Sequence, residues 1–303
     1  MPAHDNLPPE FPPNHDTPEM VRAPFVDAQG VRTYADIEYA TVVGFRPLRM
    51  DLLVPPADGP VPVVVYIHGG AFKFGSRREN HVGAPIWKSL LARGIAVAAV
   101  EYRLSGEALF PACVNDVKAA VRWLRAFGAA FGLDPEAIGS WGESAGGHLS
   151  AFLGLNSQEP EIVGAVGVTG VSSDVRAAVA WYPPTDFLSM DAQAPEDSRM
   201  AHDAPDSPES ELIGGALQEN VDAARFASPI THVTAGAAPM LLMHGLLDNE
   251  VPHPQSIRLR EALEDAGAEV ELELVPDARH VFDGVDRTPL IARSTQFLAQ
   301  RLI

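Results

Sequence analysis

The chain has 303 residues, of which 46% are hydrophobic, and it carries a formal net charge of −18 at pH 7. This length and composition allow a substantial buried core in one large domain or two small ones. The negative charge argues against nucleic acid or an anionic membrane as a partner, and no apolar run approaches the roughly 18 residues of a membrane span. Cys113 is the single cysteine, which excludes an internal disulfide framework and a cysteine-rich metal site.

Residues 1–24 are rich in proline and polar residues and show neither a helical nor a strand period. We therefore predict an extended or disordered N-terminal arm, followed by one domain over residues 25–303. The arm has no basic start and no apolar segment, so no signal peptide is predicted, and this favours a cytoplasmic location.

Short apolar segments alternate with helical patterns along most of the domain. The predicted strands are 33–40, 48–54, 61–68, 95–100, 138–141, 175–181, 240–243 and 270–275. The predicted helices are 84–93, 111–127, 147–153, 254–267 and 288–302. Repeated β–α alternation predicts an α/β fold with a mostly parallel, eight-stranded sheet and helices on both faces.

Residues 186–227 interrupt this alternation with several prolines and many acids. We predict that they form a small cap insertion over the functional site, with an ordinary surface loop as the alternative. No linker separates two globular halves.

Gly142-Glu143-Ser144-Ala145-Gly146 has the Gly-x-Ser-x-Gly pattern. A serine hydroxyl is a poor nucleophile that needs a nearby base and an approach free of side chains. A sharp turn between a strand and a helix provides that approach when small residues lie two positions before and after the serine. We therefore predict Ser144 as a nucleophile.

His68-Gly69-Gly70-Ala71-Phe72 follows the first buried strand directly. Acyl transfer places negative charge on a carbonyl oxygen, which fixed backbone N–H groups stabilise. The residue after the nucleophile supplies one donor and a glycine-rich loop supplies the others. We predict an oxyanion hole formed by Ala145, Gly70 and Ala71.

Asp248 and His280 each follow a later predicted strand. Together with Ser144 they give the chain order serine, acid, histidine that is expected of a fold with this type of turn. We predict that His280 takes the serine proton and that Asp248 orients the imidazole. Glu250 is the alternative acid.

Other titratable residues are assigned supporting or no roles. Asp277 and Asp283 lie too close to His280 in sequence to reach around its ring easily. His148 and His244 are interpreted as packing or support residues. The remaining histidines show no paired ligand spacing, so no metal site is predicted.

Aromatic residues near the predicted strand ends are expected to line the substrate cleft. Trp181 and Tyr182 end a strand, and Phe72 and Phe74 follow the glycine-rich loop. Because ligands bind beyond the carboxyl ends of parallel strands, these four side chains should border Ser144. Such a cleft suits short or aromatic acyl groups.

Several motifs together resemble the α/β-hydrolase carboxylesterases, in the feruloyl-esterase-like and acetyl-esterase branch near the hormone-sensitive-lipase family. They are His68-Gly69-Gly70, Glu101-Tyr102-Arg103-Leu104, Phe110-Pro111-Ala112, the segment 142–149, and His244-Gly245 with Asp248. The resemblance runs from about residue 33 to the end of the chain. It implies an α/β-hydrolase fold and cofactor-free ester hydrolysis through an acyl-serine. Many such proteins have a third glycine where this chain has Ala71, which puts that donor in doubt.

The resemblance makes a serine carboxylesterase acting on a small ester the first hypothesis. An amidase or formamidase with the same triad is the alternative, and a non-catalytic ligand-binding protein of this fold is a third. The oligomeric state stays open, a homodimer included.

Overall fold

The computed structural model describes residues 13–78 and 82–303, so the first half of the predicted arm lies outside the described residues. Within these described residues, nine strands form one sheet in the order β1-β2-β3-β5-β4-β6-β7-β8-β9. They are β1 Phe25–Val26, β2 Arg32–Ala40, β3 Leu48–Val54, β4 Val61–Ile67, β5 Ala96–Val100, β6 Leu133–Glu143, β7 Ala177–Trp181, β8 Met240–Gly245 and β9 Val270–Val275. The five pairs from β5 across to β9 are parallel and the three pairs at the β1 side are antiparallel.

The predicted mostly parallel sheet is confirmed, but the predicted count of eight strands is too low by one. The additional strand, β1, consists of Phe25 and Val26, which pair with Thr33 and Arg32. Two exposed residues at a sheet edge carry no alternation that a sequence pattern reveals.

Helices cover both faces of the sheet. They are α1 Gly83–Ala92, α2 Ala112–Phe127, α3 Ala145–Gly154, α4 Pro160–Val163, α5 Met190–Gln193, α6 Pro208–Ile213, α7 Val221–Phe226, α8 Pro254–Asp265 and α9 Thr288–Leu302. Helices α2, α3 and α8 share one buried apolar cluster with one face, and α1 and α9 share a second cluster with the opposite face. Among the described residues, no helix is both long and apolar enough to cross a membrane.

Strand β6 lies near the middle of the sheet, between β4 and β7, and begins earlier than predicted. Val61 pairs with Leu133 and Val63 with Ile138, so an irregularity in the register takes up Asp134-Pro135. The proline interrupts the apolar pattern without ending the strand. From Ala137 to Glu143 the strand is fully buried, as a central parallel strand requires.

The described part of the predicted arm is extended and anchored to the domain. The Asp16 backbone N–H donates to Glu38 O at 2.6 Å, and Trp123 Nε1 donates to Asp16 O at 2.8 Å. Thr41 N–H donates to Asn14 O at 2.6 Å. These bonds hold residues 13–16 against β2 and α2.

Candidate active site

Ser144 is the single residue between the end of β6 and the start of α3, where the chain turns sharply. Its backbone has φ 53° and ψ −120°, a strained conformation for a residue with a side chain. The turn needs glycine on both sides: a Cβ on Gly142 would lie 1.9 Å from the carbonyl oxygen of Gly146, and one on Gly146 would lie 2.1 Å from that of Ile67. The two glycines of the motif therefore allow the turn that presents the Ser144 hydroxyl to the cavity.

The structure brings the three predicted triad residues into one chain of hydrogen bonds. His280 Nε2 lies 3.1 Å from Ser144 Oγ, and His280 Nδ1 lies 2.8 Å from Asp248 Oδ2. Ser144 follows the central strand β6, whereas Asp248 and His280 follow β8 and β9. A base within hydrogen-bond reach of a hydroxyl, itself oriented by a buried carboxylate, is the geometry that activates a serine.

Asp248 is 1% exposed and accepts hydrogen bonds at both carboxylate oxygens. Oδ1 accepts the amides of Glu250 at 3.0 Å and Val251 at 2.9 Å, and Oδ2 lies 3.3 Å from His244 Nε2 as well as close to His280. Burial alone would raise the pKa of Asp248, but the hydrogen bonds from His244 and His280 outweigh it and hold the pKa well below its usual range. The carboxylate therefore stays ionised.

The pKa of His280 is raised. Burial would lower it, and the hydrogen bond to Asp248 outweighs that effect, with the charge of Glu250 acting in the same direction. Glu250 Oε2 lies 4.0 Å from Nε2, on the serine side of the ring, whereas Asp248 is bonded to Nδ1. Asp277 and Asp283 are exposed, and neither carboxylate forms a hydrogen bond or ion pair with the His280 ring.

The glycine-rich loop after β4 lines the same cavity as Ser144. Gly70 has φ 121° and Ala71 has φ 53°, so the backbone at Ala71 has a conformation that favours glycine. Within the described part of the chain, the amides of Gly70, Ala71 and Ala145 donate to no other protein group, whereas Ser144 N–H donates to Trp181 O at 2.9 Å. The three amides predicted as oxyanion donors are thus uncommitted.

The cavity at Ser144 has a volume of about 310 Å³. Its lining combines an apolar wall with several titratable groups, and the residues are His68, Gly69, Gly70, Ala71, Phe74, Val82, Glu143, Ser144, Glu250, His280 and Val281. Phe74 is 62% exposed at its mouth. No lysine or arginine is among these lining residues, so a neutral or cationic substrate fits the cavity better than an anion.

Three of the four aromatic residues predicted to line the cleft are instead buried behind it. Trp181 points to the opposite face of the sheet, where its Nε1 donates to Ser294 Oγ at 3.0 Å. Tyr182 packs its ring edge-on against His280, and Phe72 packs against His148. The prediction is therefore corrected: Phe74 alone of the four lines the cavity, and the other three support the residues that do.

Glu143 is a cavity residue to which the sequence analysis gave no role. Its Oε1 accepts the Tyr66 hydroxyl at 2.7 Å and its Oε2 accepts the Tyr182 hydroxyl at 3.1 Å. Burial raises the pKa of Glu143 above its usual range. Its position directly before Ser144 was the feature of the sequence that could have indicated a place in the cavity.

The two histidines interpreted as support residues lie in the interior. His148 Nδ1 is 2.9 Å from Pro184 O, and burial lowers its pKa to about 3, so the ring is neutral. His244 lies behind Asp248, with Nδ1 2.8 Å from Ser256 Oγ.

None of the described residues that line the cavity belongs to the insertion 186–227. It packs instead against the loop that carries Asp248. Arg199 N–H donates to Asn249 O at 2.8 Å, and Asn249 Nδ2 donates to Asp197 O at 3.2 Å. The described contacts thus place the insertion beside the loop that carries Asp248, and a cap over the site stays a prediction.

Serine, acid and histidine at the carboxyl ends of β6, β8 and β9 of a mostly parallel sheet give the arrangement of an α/β-hydrolase. At the level of sequence, the chain belongs to the BD-FAE family, which matches residues 50–263.

The relatives of the chain are esterases. Esterase LipC of Mycobacterium tuberculosis is 33% identical over 75% of this chain and 54% of its own length. The chain spans about half the length of LipC and of the similar mycobacterial esterases LipQ and LipM. A truncated carbohydrate esterase from gut microbiota is 30% identical, with a TM-score of 0.79 over 92% of this chain and 99% of that one.

A further similar structure carries an inhibitor-derived group. Esterase 2 of Thermogutta terrifontis, phosphonylated by sarin, is 27% identical, with a TM-score of 0.69 over 91% of this chain and 94% of that one. The chain is thus similar to proteins that are named as esterases and share its fold.

Proposed function

We propose that this protein is a serine carboxylesterase that cleaves small carboxylic esters through an acyl group on Ser144. The observation that supports it is the continuous line of hydrogen bonds from Ser144 Oγ through His280 to Asp248, which opens on the 310 Å³ cavity. Similar proteins named as esterases support the same reaction class.

In the proposed reaction His280 Nε2 removes the proton of Ser144 Oγ while the oxygen attacks the ester carbonyl carbon. The carbonyl oxygen becomes an oxyanion, which the free amides of Gly70, Ala71 and Ala145 stabilise. His280 returns its proton to the departing alkoxide, and an alcohol leaves. Water then repeats the sequence on the acyl-serine and releases the acid.

Asp248 acts in both halves of this reaction. Its ionised carboxylate fixes the proton of the resting imidazole on Nδ1, so that Nε2 faces Ser144 with a lone pair. It also stabilises the imidazolium that forms after proton transfer. The low pKa of Asp248 keeps the proton on the histidine and not on the acid.

The proposed substrates are esters of short-chain or aromatic acids with soluble alcohols. A cavity of about 310 Å³ is at the small end of the roughly 300–1,000 Å³ range for ligand sites. Phe74, Val82 and Val281 offer apolar contact for an acyl group of that size. The similarity to a carbohydrate esterase supports a hydroxyl-rich alcohol such as a sugar.

Labelling with a fluorophosphonate tests the nucleophile. Mass spectrometry should place one adduct on Ser144, and Ser144→Ala should take no label and lose about 10⁶ in kcat. Ser150→Ala is the matched control, because Ser150 is a buried serine of the same helix whose hydroxyl bonds to Ser140 and Val179. It should keep the label, and an adduct on Ser140 or Ser150 would contradict the proposal.

Esters and anilides of the same acid, assayed side by side, test the reaction class. We expect hydrolysis of p-nitrophenyl acetate and acetylated sugars and little turnover of acetanilide. Anilide turnover at a rate equal to that of the ester would assign the amidase reaction instead.

A further inference from the structure

The insertion 186–227 holds the backbone that follows Asp248 from one side. His202 Nε2 donates to Glu250 O at 2.9 Å. On the other side of the same residues, Asp248 Oδ1 accepts the amides of Glu250 and Val251. Residues 250–251 are thus hydrogen-bonded to the Asp248 carboxylate on one side and to the insertion on the other. A shift of these residues would move the carboxylate away from His280.

The ring of His202 faces a hydrogen-bond acceptor at each nitrogen. Nδ1 lies 3.1 Å from Glu209 Oε2, and Nε2 lies 2.9 Å from the carbonyl oxygen of Glu250. The residue is 1% exposed, so water does not replace either partner. A neutral imidazole carries a single N–H, and only the imidazolium donates at both nitrogens. With a carboxylate at Glu209, both hydrogen bonds therefore form only when His202 is protonated.

The surroundings of His202 favour that charge. The charged groups that act on it are Glu209 from α6 and Asp191 from α5. On the neighbouring loop, the Glu250 side chain lies 4.0 Å from Arg199. Burial would lower the pKa of His202, but the hydrogen bond and charge of Glu209, followed by the charge of Asp191, outweigh it and raise the pKa.

We propose that His202 is a positioning residue for the reaction, and that its imidazolium fixes the Glu250 carbonyl and thereby the Asp248 carboxylate. This inference rests on the proposed function, because it requires Asp248 to act on His280. It gives the acidic insertion a role in catalysis without any contact with the substrate.

Loss of the His202 proton would break this link in a defined way. The one remaining proton stays on Nδ1, where it faces the negative charge of Glu209, and the lone pair of Nε2 is left facing the Glu250 carbonyl oxygen. Because the pKa of His202 is raised, the link is complete below that pKa and is lost as the pH rises through it. The rate should therefore decline at alkaline pH.

Glu209→Gln provides the sharpest test, since it conserves shape and removes the charge. The new side-chain amide can donate to Nδ1 of a neutral ring, whose proton then sits on Nε2 and still holds Glu250 O. We expect kcat at pH 7 close to that of the unmodified enzyme and no alkaline decline. An alkaline limb unchanged by Glu209→Gln would overturn the proposal.

His202→Phe removes the link at every pH. We expect kcat to fall by about tenfold to a hundredfold, the range expected for a misplaced catalytic group, with little change in KM and no alkaline limb. If this variant does not fold, the profile of Glu209→Gln decides alone.

His232→Phe is the matched control. His232 is also buried between two acceptors, Glu159 Oε1 at 3.0 Å and Phe226 O at 2.8 Å, but it does not contact the loop that carries Asp248. Its loss should lower the thermal midpoint and leave the pH profile of kcat in place. A His202→Phe variant that behaves as His232→Phe does would contradict the positioning role.

Asp248→Asn, assayed in parallel, separates the two proposals. A fully active Asp248→Asn would overturn the proposed function itself. An inactive Asp248→Asn beside an unimpaired His202→Phe would overturn only the role of His202.

Discussion

At the scale of single residues, the two carboxylates nearest the imidazole differ in what they touch. Asp248 is bonded to Nδ1, while Glu250 reaches only to 4.0 Å from Nε2. Asp248→Asn should lower kcat by about 10⁴, because the amide favours the wrong tautomer of His280. Glu250→Gln should cost far less. Steady-state kinetics of both variants on one ester decides the assignment, and the reverse order of losses would exchange the roles.

The pH dependence of kcat/KM reports on His280, which must be neutral to accept the serine proton. Because its pKa is raised, the acid limb of the activity should lie above the ~6.5 of a free histidine, with activity lost as the pH drops through it. The alkaline decline proposed for His202 forms the other limb of the profile. The negative charge of Glu250 contributes to that rise, so Glu250→Gln should move the acid limb to lower pH. A limb below pH 6 in the unmodified enzyme would show that Asp248 does not govern this histidine.

At the scale of elements, helix α2 holds the connection 158–173 in place, and outside the short helix α4 this connection has no regular structure. Arg122, buried on α2, donates to the carbonyl oxygens of Val163, Val166 and Val168 at 3.0, 2.8 and 2.6 Å. A single guanidinium thereby satisfies three backbone acceptors that would otherwise lie unpaired.

Arg122→Met should therefore destabilise the protein by about 3 kcal/mol, since hydrogen bonds to a charged group are lost and buried carbonyls remain. Urea denaturation followed by circular dichroism measures the change. Arg93→Met, at an exposed position near the end of α1, is the control and should alter stability little. Equal midpoints for the two variants would show that the connection does not depend on Arg122.

The regular elements were predictable because their causes are local. The apolar run before Gly69 predicts a strand from one segment alone. The helical spacing of Val114, Val117 and Val121 predicts a helix in the same way. The two-residue β1 and the early start of β6 depend on pairing with another strand, which no local pattern records. The path of residues 158–173 depends likewise on Arg122, more than thirty positions away.

At the scale of the whole molecule, the triad was predictable from chain order and the pocket walls were not. Order along the chain decides which strand ends carry Ser144, Asp248 and His280. Whether Trp181 faces the cavity or α9 depends on its register in the completed sheet, and one position reverses the answer. The side on which the insertion packs likewise depends on tertiary contacts that the local sequence does not record.

The limited cavity predicts substrate size. We expect kcat/KM on p-nitrophenyl esters to be highest for acyl chains of roughly two to eight carbons, because each buried CH₂ contributes about 0.8 kcal/mol only while the cavity has room. Cinnamoyl-type esters should also react. A rise that continues past about twelve carbons, or a jump in rate above the solubility limit of the ester, would indicate a lipase.

The sheet order also predicts the order in which activity and tertiary structure are lost when the protein unfolds. Ser144 follows the central strand β6, while His280 follows β9, a partly exposed strand at the sheet edge that pairs only with β8. Edge segments open at lower free energy than the centre of a fold. In rising urea, ester turnover should therefore vanish before the fluorescence of the buried Trp141 and Trp181 changes, and β9 amides should exchange hydrogen before those of β6. Coincident transitions would instead mean that the molecule loses its base and its nucleophile in one cooperative event.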